Sequence, residues 1–299
     1  MIAITGQLLA LATAACWAHN SIMYSSAGKR VGSNTVAHIR LWIALPAILL
    51  LHLLSLGKLF PTGLSTIPLI NLIISGVLGF CIADLFIFQA LVKLGPRETL
   101  VILTLSPIFS TIFSWFTLKE QLSLLQISGI LATIAGVIWV TFADNRELKK
   151  KKQIYSFLGL AFALLGTLSQ AVAMVLAKAA LVPEMHPVSA NLIRITFGLI
   201  GLILFSILRG RFFSDFKKMR DRKALLYIST GSLIGPVLGI VIMMYALSLA
   251  PVGIVTALSQ ISPILLLPIE RYVYKKTVPL GAVFGTLLAL GGSALLFIF

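Results

Sequence analysis

The sequence predicts an all-α polytopic membrane protein, with ten transmembrane helices arranged as two inverted five-helix repeats. Three observations carry that expectation. Of the 299 residues, 59% are hydrophobic and 11% charged, whereas soluble globular chains carry roughly 45–50% apolar and about 25% charged residues. Apolar runs long enough to cross a hydrocarbon core, which takes about 20 residues each, follow one another along the whole chain. The two halves of the chain also resemble each other at a nearly constant spacing.

Taken in order, the first run begins at MIAITGQLLALATAACW. It lacks the basic leader of a cleaved signal, so it reads as the first span, about 5–27. GKRVGSN separates it from a second span at about 35–56, and LGKLFPTG leads to a third at about 66–92. KLGPRE precedes the fourth (about 97–117) and LKEQLS the fifth (about 122–142). After DNRELKKKKQ the pattern resumes at about 154–179, 187–208, 223–249, 252–273 and 277–298, with turn or charge signals at each break. The division is therefore a first repeat over 1–143, a basic linker over 144–153 and a second repeat over 154–299.

A net charge of +15 would suit a nucleic-acid partner if it formed a patch on a soluble domain. Instead, nineteen of the 24 Lys and Arg residues fall in the connectors after spans one, three, five, seven and nine. These charges belong at a lipid-bilayer surface, and no nucleic-acid partner is expected. Basic short loops stay in the cytoplasm, so the bias predicts a multi-pass protein of the cell (inner or plasma) membrane with linker 144–153 inside and both termini outside. Cys16 and Cys81 lie in apolar runs, and His19, His38, His52 and His186 show no ligand spacing. Neither a disulfide framework, a metal nor a cofactor is expected.

The internal repeat is read from matched residues. Ala90-Leu91 matches Ala246-Leu247, and Ser106-Pro107-Ile108 matches Ser262-Pro263-Ile264, both at an offset of 156. At that offset Gly79, Gly129 and Gly136 meet Gly235, Gly285 and Gly292, while Arg40 meets Arg194 at 154 and Gly6 meets Gly159 at 153. An odd number of spans per half forces the second repeat to enter the membrane in the opposite orientation. Such repeats build carriers with a site near the midplane, so periodicity points to alternating access.

SPIFSTIFSWFTLKEQLSLLQISGILATIAGVIWV, from Ser106 to Val140, resembles the end of an EamA-type repeat of the drug/metabolite transporter superfamily: Ser-Pro in the fourth helix, Leu-x-Glu at its end, then Gln, Gly and Gly in the fifth. SPILLLPIERYVYKKTVPLGAVFGTLLALGGSALL repeats the pattern, so the resemblance spans essentially the whole chain. One departure is Lys276, which stands where the first repeat has Glu120. The resemblance implies a ten-helix carrier with a central cavity, commonly an exporter of small metabolites such as amino acids. It also implies both termini in the cytoplasm, whereas the bias of 19 of 24 basic residues to one set of connectors predicts both termini outside.

Candidate substrate-binding residues come from polar and aromatic faces inside apolar runs. Thr13, Trp17, Asn20, Ser21 and Tyr24 recur at spacings of three and four on the first span and share a face. Thr167, Gln170, Met174 and Lys178 do so on the sixth, where Gln170 takes the repeat position of Trp17. Phe88, Tyr245 and Gln260 complete the set. Pro107 and Pro263 are expected mid-helix as bend points. Arg40 and Arg194 are expected to reach toward headgroups or to gate opposite mouths; Arg97 and Glu98 read as rim residues.

Asp84 is the outstanding residue, because an ionised carboxylate inside a span costs about 2.5–3.5 kcal/mol on insertion scales. In the second repeat its place is taken by Ile240. It is the candidate for proton coupling, for binding a cationic amine, or for a structural ion pair with His19, Arg40 or Lys178. The functional expectation is a secondary transporter of a small organic metabolite or drug, amino-acid-like or amine, for which a monomer suffices. An intramembrane enzyme acting on lipid would need a catalytic set such as HExxH or GxSxG, and none is present. A channel would need pore-lining rings, usually from several subunits.

Overall fold

The computed structural model describes residues 2–93, 99, 102–143, 157–262, 264–265 and 280–297, and every regular element among them is helical. Helix α1 (Ile2–Val31) runs into α2 (Ser33–Leu56) through Gly32, whose φ of 89° a side chain would resist. Gly57, also left-handed, closes α2 and bonds back to the Leu53 carbonyl at 2.8 Å. The third apolar run is α3 (Thr66–Gly76), a π-helical segment (Val77–Ile82) and α4 (Ala83–Lys93). Next come α5 (Ser106–Leu118) and α6 (Leu124–Ala143).

The second half repeats this order. Helices α7 (Phe157–Ala179) and α8 (Pro187–Leu208) are followed by a short surface helix, α9 (Phe212–Lys217). Then come α10 (Arg222–Ser232), a second π segment (Leu233–Gly239), α11 (Ile240–Leu249), α12 (Val252–Ser259) and α13 (Leu280–Phe297). Among the described residues five helical stretches are long and apolar enough to cross a membrane: Asn34–Leu56, Thr66–Ala90, Phe157–Ala179, Pro187–Leu208 and Arg222–Leu249. Linker 144–153, Arg97, Glu98, Pro263 and Lys276 lie outside the described residues.

Two expectations about helix regularity are corrected. The fourth span is not one helix: Thr104 and Leu105 form a turn, and Pro107 sits in the first turn of α5. Proline lacks an amide that this position does not need, so Pro107 starts a helix rather than bending one. The third span is not uniformly α-helical either. Its π segment and that of the eighth span begin at Val77 and Leu233, residues separated by the repeat offset of 156.

Small residues explain much of the packing. Helices α6 and α13 cross antiparallel with glycines in contact: a Cβ on Gly129 would lie 2.9 Å from the Gly292 carbonyl oxygen, and one on Gly136 would lie 2.6 Å from that of Gly285. Exchanging residues by the repeat offset turns one of these contacts into the other. Elsewhere α1 packs against α10 and α11 as α7 packs against α3 and α4. At the second π segment Asn20 of α1 presses on Gly235, where any side chain would overlap its carboxamide.

Candidate functional site

Arg40 and Arg194 each lie roughly two turns inside their helices, α2 and α8. The expectation that they reach for headgroups is overturned, because they are 9% and 1% exposed and turn inward. Arg40 forms an ion pair with Asp84 of α4. Arg194 donates from Nε to the Ser75 hydroxyl at 2.9 Å and from a terminal nitrogen toward the Met244 sulfur at 3.7 Å. The Ser75 hydroxyl in turn donates to the Ala173 carbonyl. Between the arginines stands Phe80 of the first π segment, its ring centre 6.0 Å from the Arg40 guanidinium carbon and 5.2 Å from that of Arg194. Tyr24 flanks Arg40 at 5.8 Å.

Glycines allow this approach. Gly76 touches the Arg194 backbone, and the space a side chain on Gly79 would fill is bounded by the Arg194 Nη2 at 3.3 Å and the Gln170 Oε1 at 3.6 Å. Of the three candidate partners for Asp84, the structure selects Arg40. Lys178 pairs instead with Glu120 at 2.9 Å and donates to the Ala250 carbonyl at 2.6 Å. The second Glu120 oxygen accepts the Val252 amide at 3.0 Å, so this acid joins α5, α7 and α12. The Nδ1 of His19 is buried without a hydrogen-bond partner.

The predicted face of α1 survives in part. Asn20 is 4% exposed with its Oδ1 unpartnered, and Trp17 and Tyr24 are half-buried. Thr13 is buried, its hydroxyl returned to the Leu9 carbonyl at 3.0 Å. Ser21 is a correction: it is exposed and bonded to the Ala18 carbonyl at 2.8 Å, since one residue beyond Asn20 turns the side chain about 100° away. Met174 is packed into the core at 1% exposure. Tyr245 meets His186 at 3.1 Å, where His186 caps the start of α8. Gln260 is half-buried just past α12.

A cavity of about 490 Å³ opens between the two halves, and among the described residues Phe88 is the one predicted site residue on its wall. Phe86, Phe162, Phe205, Ile82 and Leu85 make it apolar; Lys93, Arg209 and Arg211 place cations along it. The buried Ser206 hydroxyl on its wall has no hydrogen-bond partner. Asp215 also lines it, held by the Thr35 hydroxyl at 2.8 Å and His38 Nδ1 at 3.1 Å, while Trp42 donates to His38 Nε2 at 3.3 Å. A neutral ring accepting at Nε2 carries its proton on Nδ1, which donates a hydrogen bond to Asp215. Phe212 and Phe216 cover this group, docking α9 on α2.

Sequence reasoning passed over Asp215 and His38. The available signal was RFFSDF, an acid set between aromatics inside a basic connector. Among the described residues no group of three or more His, Cys, Asp or Glu side chains is placed to hold a metal ion.

The model of the EamA-like transporter family matches residues 4–142 and 157–298. One solved protein crystal structure, 19% identical, superimposes with a TM-score of 0.71 over 97% of this chain and 94% of its own, a likeness of fold. No curated protein matches the sequence.

Proposed function

The chain belongs to the EamA-like transporter family of the drug/metabolite transporter superfamily, and from that premise we propose that it is a secondary transporter exporting a small organic metabolite or drug, amino-acid-like or amine, by alternating access. The observation that carries this reading is the exchange symmetry at α6–α13. Equivalent helices of two repeats that cross antiparallel, with contacts that interchange at one offset, are what inverted five-helix repeats require. The matched π segments support the same division into 1–143 and 154–299, joined by linker 144–153. The ten-span count belongs to this proposal. One chain supplies both halves, so a monomer suffices.

In this reading substrate enters the 490 Å³ cavity from the side bearing Lys93, Arg209 and Arg211 and reaches Phe80 near the midplane. That size suits a small organic molecule. The charge bias makes the same side cytoplasmic, with both termini outside the cell membrane. A reporter fused after Lys152 should therefore read cytoplasmic, and an extracytoplasmic signal would overturn the orientation. For Asp84, the Arg40 pair supports the structural role over amine binding.

Counterflow in proteoliposomes tests the function. Saturable exchange of labelled amino acids or amines against an internal pool is the expected result. Non-saturating flux would favour a channel, and chemical change of added lipid would favour an enzyme.

A further inference from the structure

The buried charges of the described residues do not balance. Among the described residues, Asp84 answers Arg40 and Glu120 answers Lys178. Asp215 is held at the membrane edge by His38, Thr35 and, at 3.9 Å, Lys218. Among the described residues Arg194, the largest fully buried side chain, has only neutral neighbours, including the Ser75 hydroxyl, the Met244 sulfur and the face of Phe80. A guanidinium does not shed its proton in a protein, so this charge is permanent. A permanent cation inside a membrane span pairs with an anion or marks a substrate path.

We infer that the cargo carries a carboxylate, or an equivalent single negative charge, which docks on Arg194 beside Phe80 and Gln170. This rests on the transporter reading and narrows it: an amino-acid-like compound fits, and a simple amine does not. Three features of the site agree. The absent side chain of Gly79 lets the Arg194 guanidinium and the Gln170 carboxamide approach the same space. Phe80 offers an apolar face there, and the cavity between the halves, whose wall includes Ile82 two residues beyond Phe80, is lined by Phe86, Phe162 and Phe205. The cations along that cavity favour entry of an anion. Asp84, already paired, has no free charge to offer an ammonium group.

Two measurements on the full-length protein in lipid nanodiscs decide the matter. The first needs no ligand. Arg194→Met removes a cation that lacks a counter-charge, so the variant should melt higher than the parent. A lower melting temperature would show that Arg194 is a structural residue and overturn the inference. The second compares hydrocinnamate with phenethylamine, which share a phenylethyl body and differ in charge. Hydrocinnamate should raise the melting temperature of the parent, with at least about tenfold weaker apparent affinity in Arg194→Met and partial retention in Arg194→Lys. A missing hydrocinnamate response, an unchanged response in Arg194→Met, or equal stabilisation by phenethylamine would each overturn it. Counterflow of labelled phenethylamine by the parent would leave the transporter reading standing while removing the anionic cargo, so the two proposals fail separately.

Discussion

Replacing Asp84 by Asn should destabilise the fold by about 3 kcal/mol, at the lower end of the 3–5 kcal/mol associated with breaking a buried pair. The side chains of Arg40 and Asp84 are 11% and 15% exposed, so water reaches them poorly. Among the described residues Arg40 has no second acid, and its Nε already lacks a hydrogen-bond partner. It would retain the ring faces of Tyr24 and Phe80 at 5.8 and 6.0 Å, each worth about 0.5–1 kcal/mol and together an incomplete substitute. The assay is reversible unfolding in mixed micelles, run on parent, Asp84→Asn, Arg40→Gln and the double variant. The double variant should recover most of the loss, because neutral groups leave no uncompensated charge. A single Asp84→Asn variant as stable as the parent, or a double variant showing the sum of the single losses, would refute the pairing argument.

Other expectations follow from the same contacts. Glu120→Gln should cost about 1–2 kcal/mol in the same assay, less than Asp84→Asn, because Lys178 keeps the Ala250 carbonyl and the glutamine oxygen can still accept from Val252. Gly235→Ala should lower the melting temperature by several degrees through collision with Asn20, and Asn20→Ser in the same chain should restore part of it. Burial, with His52 nearby, holds the His186 imidazole below its ordinary value of 6.5. The unfolded chain therefore binds that proton first, and stability should fall as the pH drops below about 6.5. His186→Asn, which can still cap α8, should flatten the melting profile between about pH 7.5 and about pH 5.5.

Membrane character and the repeat were legible in the sequence because both depend on composition and spacing, which survive without knowing any contact. The positions of Gly129, Gly136, Gly285 and Gly292 marked the repeat, but only packing shows that they meet across α6 and α13. Asp84 was recognisable as an anomaly, since one carboxylate in an apolar run has an energetic cost on any scale. Its partner was not recognisable, because Arg40, Lys178 and His19 were equivalent until three dimensions separated them. Arg194 was misjudged for a related reason. Snorkelling is the default for a basic residue near a span end, and nothing local in NLIRITF discloses Ser75 and Phe80 waiting on another helix. The π segments left no reliable trace either. Their glycines and Pro236 read as weak α-helix, and the carbonyl of Pro236 is satisfied from a distance by the Asn191 side chain at 2.8 Å.

Those two segments have a mechanical consequence. A π turn holds surplus chain compared with the α-helix around it. Drawing out one residue of that slack would advance the helix beyond it by about 1.5 Å and spin it by about 100°. In the first half the spinning part carries Asp84 and Phe88; in the second it carries Met244 and Tyr245. The slack sits at equivalent places in both halves, so one half could take up what the other lets go. The helix lengths at the bundle's rim would then hold while its interior faces trade places.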